Sequence, residues 1–255
     1  MEIGVAGARA SCCEPRMEDN TRRLMLTGDD FGRSAAINLA IEQWHSAGAL
    51  TQTSLMVNEA GAEEAVAIAR RNPKLRVGLH LTLCDGCASD GSAMGTSPTL
   101  AGLRFAFFPG ARAWLRREIS AQFEKFRQLG FAPAHWDGHT HLHLHPLVIA
   151  ITIPIAVAHG FRFTRLVREP RGRASARGFL PRVFSMLSAH AAPKLRAAGV
   201  GFADSVFGLS KSGDMDLDEV RRAVQHASTG MTEIYFHPGA ETVLTDPAQV
   251  AAVVA

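Results

Sequence analysis

Short apolar runs alternate with amphipathic stretches along most of this chain. Apolar and β-branched runs predict strands, and stretches with apolar positions three or four residues apart predict helices. The predicted strands cover residues 23–27, 51–57, 75–83, 135–145, 160–167 and 232–236, and the predicted helices cover residues 34–47, 60–70, 111–130, 146–159 and 216–227. Because strands that alternate with helices favour a parallel sheet, the pattern predicts an α/β fold, namely an irregular TIM-like (β/α) barrel.

Residues with useful chemistry cluster where the predicted strands end. Asp29 and Asp30 follow the first apolar run. His80 lies near the end of the third run, and His237 follows the last. In barrels of this type the active site forms at the carboxyl-terminal rim of the strands. The sequence therefore predicts a site at that rim.

The segment from His135 to His145 carries a histidine at nearly every second position. Alternate residues of an extended strand share a face. If this segment is a strand, one face therefore carries the side chains of His135, Asp137, His139, His141, His143 and His145. If these rings belonged to the core, each would need a buried partner. The ladder therefore favours a metal site over a set of core histidines.

A metal that activates water needs a few fixed ligands and an open position. Asp30, His80 and His139 offer one ligand from each of three strand ends. Their mixed nitrogen and oxygen donors favour zinc, with magnesium as the alternative. The sequence predicts a site for one divalent cation.

Neighbouring residues are candidates for proton transfer. Asp29 would be free to accept a proton from the activated water, although a helix N-cap is an alternative account of the pair Asp29 and Asp30. His237 is a candidate general acid, because the ordinary pKa of histidine lies near neutrality. Arg165 and Arg168 could orient Asp29 or bind a sugar or phosphate group, and a solvated basic face accounts for them equally well.

Composition narrows the class of protein. With 255 residues, 47% of them hydrophobic, the chain predicts a single barrel domain over residues 23–255, preceded by an irregular or disordered extension over residues 1–22. A net charge of +3 without a nucleic-acid-binding signature predicts no nucleic-acid partner.

No run approaches the roughly 18 apolar residues of a membrane span, so a cytoplasmic location is expected. Cys84 and Cys87 have CxxC spacing, a weak sign of zinc or redox chemistry, and incidental reduced thiols are the favoured interpretation.

Four short motifs together resemble those of a known family. They are GDDFG at Gly28–Gly32, GLHL at Gly78–Leu81, WDGHTHLH at Trp136–His143 and YFHP at Tyr235–Pro238. In this combination they resemble the YdjC-like carbohydrate deacetylase family, from about Arg23 to His237. The stretches TGDDFGRS, TSLMVNEAGAEEAV and RLVREPRG are similar to its hopanoid-biosynthesis-associated branch.

This resemblance implies removal of the acetyl group from an N-acetylglucosamine carried on a hopanoid lipid, with a glycolipid or amino sugar as substrate. It implies Asp30, His80 and His139 as metal ligands, Asp29 as base, His237 as acid, and His141 and His143 as further substrate contacts. The family is usually described with magnesium. Its members continue beyond the HP motif, so the end of this chain at Ala255 predicts a truncated C-terminus.

Other functions stay open. A deacetylase of soluble chito-oligosaccharides keeps the same chemistry. A metal-dependent phosphoesterase would use His141, His143 and His145 to hold further metals. A metal-storing or sugar-binding module is a further alternative, but it would not explain the presence of Asp29 beside the ligands. One metal per chain favours deacetylation, and two or more favour phosphoester hydrolysis.

Two apolar sets near basic residues suggest a peripheral membrane contact. Phe105, Phe107, Phe108 and Pro109 form a loop-like apolar patch, and apolar residues recur at helical spacing over residues 179–187. Beside them lie Arg171, Arg173, Arg177 and Arg182. Such a surface could rest on an anionic bilayer, whereas a core-facing helix is the plainer account of the second set. The oligomeric state is undecided, and a homodimer stays open.

Overall fold

The computed structural model describes residues 22–170, 179–227 and 230–255. Its strands are β1 (Arg22–Phe31), β2 (Gln52–Leu55), β3 (Arg76–Leu81), β4 (Trp136–Gly138), β5 (Ser205–Phe207) and β6 (Gly230–Phe236). Its helices are α1 (Ala35–Ser46), α2 (Ala62–Arg71), α3 (Pro98–Phe107), α4 (Ala111–Gln128), α5 (Pro146–Ala158), α6 (Phe179–Ala197), α7 (Leu217–His226) and α8 (Pro247–Val254), with a 3-10 helix at His139–Leu144.

The strands form one parallel sheet in the order β4-β3-β2-β1-β6-β5. The sheet is curled into a half-barrel, and helices follow most of its strands along the chain. The predicted α/β class is therefore confirmed, and the architecture is close to a TIM-like barrel. Parallel pairing places the carboxyl ends of all six strands at one edge, where the candidate site lies.

The segment predicted as a strand over residues 160–167 joins the two edges of the curled sheet. Phe163 makes an isolated bridge with Gly201, ahead of β5, and Thr164 makes one with Trp136 of β4. The Trp136 N–H donates to the Phe163 carbonyl at 3.1 Å, and the Thr164 N–H donates to the Gly201 carbonyl at 3.0 Å. Because β4 has only 3 residues, it offers too few groups for a longer ladder. The prediction of a full strand here is wrong.

Helix α1 follows β1 after a short turn. The Ser34 hydroxyl accepts a hydrogen bond from the Ile37 N–H at 3.4 Å and so caps the helix. Trp44, one turn from the C-terminus, packs in the core with its ring centroid 5.2 Å from that of Phe236. Since Ser34 is the cap, the N-cap account of the preceding acidic pair is wrong.

The chain leaves the sheet immediately after β4. Thr140 and His141 lie in the left-handed region at φ 56° and 58°, inside the 3-10 helix. Gly138 allows the chain to fold back, because a Cβ there would lie 2.8 Å from Nδ1 of His143. The prediction of one extended strand over 135–145, with its histidines on one face, is therefore wrong.

A second difference concerns the apolar patch predicted as loop-like over Phe105–Pro109. Helix α3 covers its first part, and Phe105 is buried against Trp114 with ring centroids 6.1 Å apart. Ser97 caps this helix by accepting from a backbone N–H in the first turn, and Pro98 opens it. A capping residue followed by proline is a helix-start signal, which apolar periodicity alone does not contain.

Several predictions fall outside the described residues. These are residues 1–21 of the predicted extension over residues 1–22, and the three arginines Arg171, Arg173 and Arg177. The last residue of that extension, Arg22, begins β1. In the described part of the chain, Cys84 and Cys87 are free thiols, and burial raises the pKa of Cys84. None of the described helices has both the length and the apolar character needed to cross a membrane.

Candidate metal centre

β1 ends in a backbone irregularity that turns two adjacent carboxylates toward one cleft. The register with β2 shifts between Gly28 and Phe31, and Asp30 lies in the left-handed region at φ 65°. In a regular strand Asp29 and Asp30 would point to opposite faces of the sheet. Here both line the same cleft at the carboxyl-terminal rim. Strained backbone of this kind is common at functional sites.

The three predicted metal ligands converge at this rim. Asp30 Oδ1 lies 3.3 Å from Nε2 of His80 and 2.9 Å from Nδ1 of His139. All three side chains are buried. Although burial raises the pKa of Asp30, the two neighbouring imidazoles outweigh it and hold that pKa well below its usual range.

These donors fit a divalent cation. Asp30 Oδ1 is buried, and although both imidazoles lie close to it, no described residue makes a well-directed hydrogen bond to it. Tetrahedral zinc ligands, at roughly 2.0–2.1 Å from the metal, lie about 3.3 Å from one another, which is close to the separations found here. Asp29, His80 and Asp137 form a second group of suitable size. It fits a cation less well, because Arg165 already pairs with both of its carboxylates.

Asp137 orients His80. Its Oδ1 accepts a hydrogen bond from His80 Nδ1 at 2.7 Å, which leaves Nε2 facing Asp30. Burial lowers the pKa of His80, but the charge of Asp137 outweighs it and raises that pKa to about 10. A carboxylate behind a histidine is a common arrangement around metals, where it fixes the ring and strengthens the ligand.

Arg165 lies at the centre of a buried cluster of acids. Its Nη1 and Nη2 donate to the two oxygens of Asp29 at 2.6 and 2.8 Å. Nη2 also lies 3.0 Å from Asp137, and Nε donates to Glu233 at 3.0 Å. Its guanidinium carbon lies 4.3 Å from the ring centroid of Tyr235. Burial lowers the pKa of Arg165, but the three carboxylates outweigh it and raise that pKa well above the ordinary value.

The two arginines named from the sequence therefore have different surroundings. Arg165 is buried and holds Asp29, as one of the sequence interpretations expects. It does not belong to a solvated basic face. Arg168 has an exposed side chain and does not join this cluster of acids.

The later histidines of the 135–145 segment have separate partners. His141 Nε2 lies 3.0 Å from the Tyr235 hydroxyl, and His143 Nε2 lies 3.0 Å from the Arg165 carbonyl. His145 Nδ1 accepts from the backbone N–H two residues later. His141 lines the cleft, whereas His143 is fully buried, and its burial lowers its pKa to about 4.

His237 follows β6 and lines the same cleft as Asp29 and Asp30. Its backbone N–H donates to Glu241 at 2.9 Å, and its ring meets that of Tyr235 edge-on with centroids 5.8 Å apart. Its Nδ1 is buried without a hydrogen-bond partner in the described part of the chain. The ring thus stands at the strand end where the sequence predicts a proton donor.

The sequence interpretation missed four charged or polar residues around this site. Glu233 and Tyr235 alternate with His237 along β6, so their period-two spacing is a signal that predicts their shared face. Arg33 and Asp85 have no comparable signal. Arg33 contacts the ring nitrogen of His139 that faces away from Asp30, at 3.0 Å, and donates to Asp85 at 2.8 Å.

The site opens into a cleft of about 690 Å³. Polar ligand-type residues lie at one end, and much of the remaining wall is apolar. The apolar residues of α3 and α6 that line it are Leu103, Ala106, Leu180, Val183, Phe184 and Leu187. Such a cleft fits a ligand with a polar group at the rim and an apolar remainder.

Asp137→Asn is expected to weaken metal binding about 10–100-fold, because an amide supports the His80 ring less well than a carboxylate. Calorimetric titration with zinc measures this change. The matched control Glu233→Gln removes a charge from the same Arg165 cluster without touching His80, and it should bind metal like the unaltered protein. An equal loss in both variants would contradict a specific role for the contact between Asp137 and His80.

Two mammalian proteins are similar to this chain over most of its length. A mouse (Mus musculus) protein named carbohydrate deacetylase is 34% identical over 248 residues, covering 87% of this chain and 79% of that protein. A human protein of the same name is 34% identical over 256 residues, covering 90% of this chain and 77% of that protein.

Solved structures match the fold. A chain from Enterococcus faecalis, named for cellobiose-phosphate cleavage, superposes with a TM-score of 0.61 at 17% identity, covering 91% of this chain and 90% of that one. The lactam utilization protein of Thermus thermophilus gives a TM-score of 0.50 at 16% identity, covering 91% and 94%. At these identities the likeness concerns the fold alone. The model of the family described as YdjC-like protein matches residues 23–253, and the chain therefore belongs to the YdjC-like family.

Proposed function

We propose that this chain is a metal-dependent carbohydrate N-deacetylase that removes the acetyl group from an N-acetylglucosamine carried on a hopanoid lipid. The observation that carries the proposal is the buried trio Asp30, His80 and His139 beside Asp29 in one cleft. The name carbohydrate deacetylase of the mouse and human relatives supports the reaction class.

Asp30, His80 and His139 would hold one divalent cation. Two imidazoles and one carboxylate form a donor set of catalytic zinc sites, so zinc is favoured and magnesium is the alternative. When bound, the cation would supply Lewis-acid activation of a water molecule and of the acetamide carbonyl.

Asp29 would act as the general base. Arg165 holds both of its oxygens, so the orientation of the carboxylate is fixed before the substrate arrives. As the attacking water adds to the acetamide carbonyl, its proton would pass to Asp29. This role needs no movement of the backbone, because Asp29 already lines the cleft.

His237 would act as the general acid. Collapse of the tetrahedral intermediate expels an amine, which leaves far more easily when it is protonated. His237 at the cleft wall would supply that proton, and its edge-on contact with Tyr235 would hold the ring in place. The bond from its backbone N–H to Glu241 would fix the backbone there. His141 would contact the sugar, since it lines the cleft next to the ligand His139.

The apolar wall supports a lipid-linked substrate. A soluble chito-oligosaccharide would leave hydroxyl groups unpaired against Leu103, Val183 and Phe184, which is unfavourable. A hopanoid carrier would instead bury apolar surface there. A phosphoesterase has less support, because the histidines it would need for further metals already contact Tyr235 and the Arg165 carbonyl.

Release of acetate from an N-acetylglucosaminyl lipid and from free chitobiose tests the proposal. Metal in the purified chain is counted in parallel by mass spectrometry. We expect one cation per chain and faster release from the lipid-linked sugar, with no release by an Asp30→Ala control. Release from chitobiose alone would keep the reaction and replace the substrate. Two metals per chain together with phosphoester hydrolysis would overturn the proposal.

A further inference from the structure

Large exposed hydrophobic side chains concentrate around the mouth of the cleft. Within the described residues, seven of the nine belong to α3, to the residue that follows it, or to α6. They are Leu100, Leu103, Phe107, Phe108, Phe179, Leu180 and Met186, called here the cleft-mouth patch. Phe107 is 80% exposed and Phe179 is 84% exposed, so the rest of the described chain leaves these rings largely uncovered. Exposed apolar side chains concentrated on two helices that line one cleft favour an interaction site.

The patch is continuous with the cleft. Leu103 and Leu180 line the cleft and are at the same time 51% and 54% exposed. Helices α3 and α6 both pack on α5 and on the 3-10 helix that begins at the candidate ligand His139. An apolar path therefore leads from the candidate metal centre to the surface.

The Lys, Arg, Asp and Glu residues on the two segments that carry the patch are all of one sign. Residues 98–117 contain four arginines and no acid, and α6 contains three cations and no acid. Arg104, Arg112 and Arg182 have exposed side chains, and the Arg104 guanidinium lies 5.7 Å from the ring centroid of Phe108. Apolar tips among cations match the chemistry of an anionic lipid surface, where the rings enter the bilayer and the cations stay among the headgroups.

We infer that the cleft-mouth patch docks on an anionic lipid bilayer. A second copy of the chain is a poorer occupant, because a two-fold pairing would place the same unbalanced cations against each other. The docking inference depends only on the properties of this surface and involves no catalytic step. It deepens the proposed function, and in that respect rests on it, because the cleft would open directly onto the membrane that holds a lipid-linked sugar.

Co-sedimentation with vesicles tests the inference. The full chain should pellet with phosphatidylglycerol-containing vesicles at low salt, and high salt should release it, because salt screens the contribution of the cations. Vesicles of phosphatidylcholine alone should bind it weakly. Absence of binding to the anionic vesicles at low salt would overturn the inference.

The apolar contribution is tested by the double variant Phe107→Asn with Phe179→Asn. Neither ring lines the cleft, and both are exposed, so folding and acetate release from a soluble substrate should not change. Apparent vesicle affinity should fall at least about tenfold, since two large apolar side chains no longer enter the bilayer. The matched control changes Leu39 and Val243, two exposed apolar residues outside the patch, to Asn. An equal loss of binding in the control would show that the patch has no special role.

The charge contribution is tested by Arg104→Glu with Arg182→Glu. This pair should lose vesicle binding at low salt, whereas Arg70→Glu with Lys74→Glu, the same charge change on and beside α2, should retain most of it.

Sedimentation velocity without vesicles tests whether a second copy of the chain binds to the cleft-mouth patch instead. A dimer that the Phe107 and Phe179 changes abolish, with no vesicle binding, would assign the patch to a protein interface and overturn the inference. None of these results depends on whether acetate is released, so a failed docking test leaves the proposed reaction untouched.

Discussion

Asp29→Asn is expected to keep the metal and to slow acetate release by roughly 10²–10⁴-fold, the usual contribution of a general base. Asparagine has nearly the shape of aspartate and leaves the neighbouring Asp30 unchanged, but it cannot accept a proton. Single-turnover kinetics on metal-loaded protein measures the rate, and mass spectrometry measures the metal.

Asp30→Asn is the matched variant one residue away. It should lose the metal first and activity as a consequence, because Asp30 is the carboxylate between His80 and His139. Excess zinc should restore part of the activity of Asp30→Asn and none of the activity of Asp29→Asn. Near-normal turnover in metal-loaded Asp29→Asn would remove Asp29 from the role of base. Full metal occupancy in Asp30→Asn would remove Asp30 from the ligand set.

The position of the site could be predicted from the sequence because parallel strands share an edge. Asp30, His80 and His139 are far apart in the chain, yet each lies close to or just after the end of a strand. Once the alternation of strands and helices indicates a parallel sheet, the carboxyl ends of those strands must lie at one edge. The structure places the three side chains together there. The prediction needed topology and no knowledge of side-chain packing.

The histidine ladder could not be interpreted in this way. A period of two is compatible with a strand, but it does not show where the strand ends. The end is set by Gly138, whose missing Cβ makes room for the ring of His143, and by left-handed backbone at Thr140 and His141. These are properties of the folded chain. The rings that the ladder would place on one face therefore have different partners.

The contacts behind the site could be predicted only in part, since the sequence named Arg165 as a residue that could orient Asp29 but missed Glu233. Asp137, Glu233 and Arg165 come from different parts of the chain and meet only because the sheet curls. Local patterns describe each of them as a polar residue in or near a strand. Their pairing depends on side-chain reach across strands, and no periodicity encodes it. The alternation of Glu233, Tyr235 and His237 in β6 was the one usable signal.

Arg165→Met is expected to reduce the free energy of unfolding by about 3–5 kcal/mol, because it leaves buried carboxylates without their cation. Arg165 is 1% exposed and pairs with Asp29, Asp137 and Glu233, so water cannot easily replace it. Arg168→Met is the matched control. The Arg168 side chain is exposed, and its loss should change stability by no more than about 0.5 kcal/mol. Urea unfolding of metal-free protein measures both variants.

The pH dependence of that loss identifies its cause. Burial already raises the pKa of Glu233, with Arg165 opposing the rise, and Arg165 also helps to hold the pKa of Asp137 down. Without the guanidinium, the folded-state pKa of Glu233 should rise further above its unfolded value, whereas His80 still holds the pKa of Asp137 down. A group with a raised folded pKa stabilises the protein below its unfolded pKa and loses that contribution as the pH rises through the folded value. The deficit of Arg165→Met should therefore shrink from about pH 8 to about pH 5, as the stranded Glu233 takes up a proton. A deficit that stays constant over this range would mean that lost packing against Tyr235 is responsible and that unpaired charge is not.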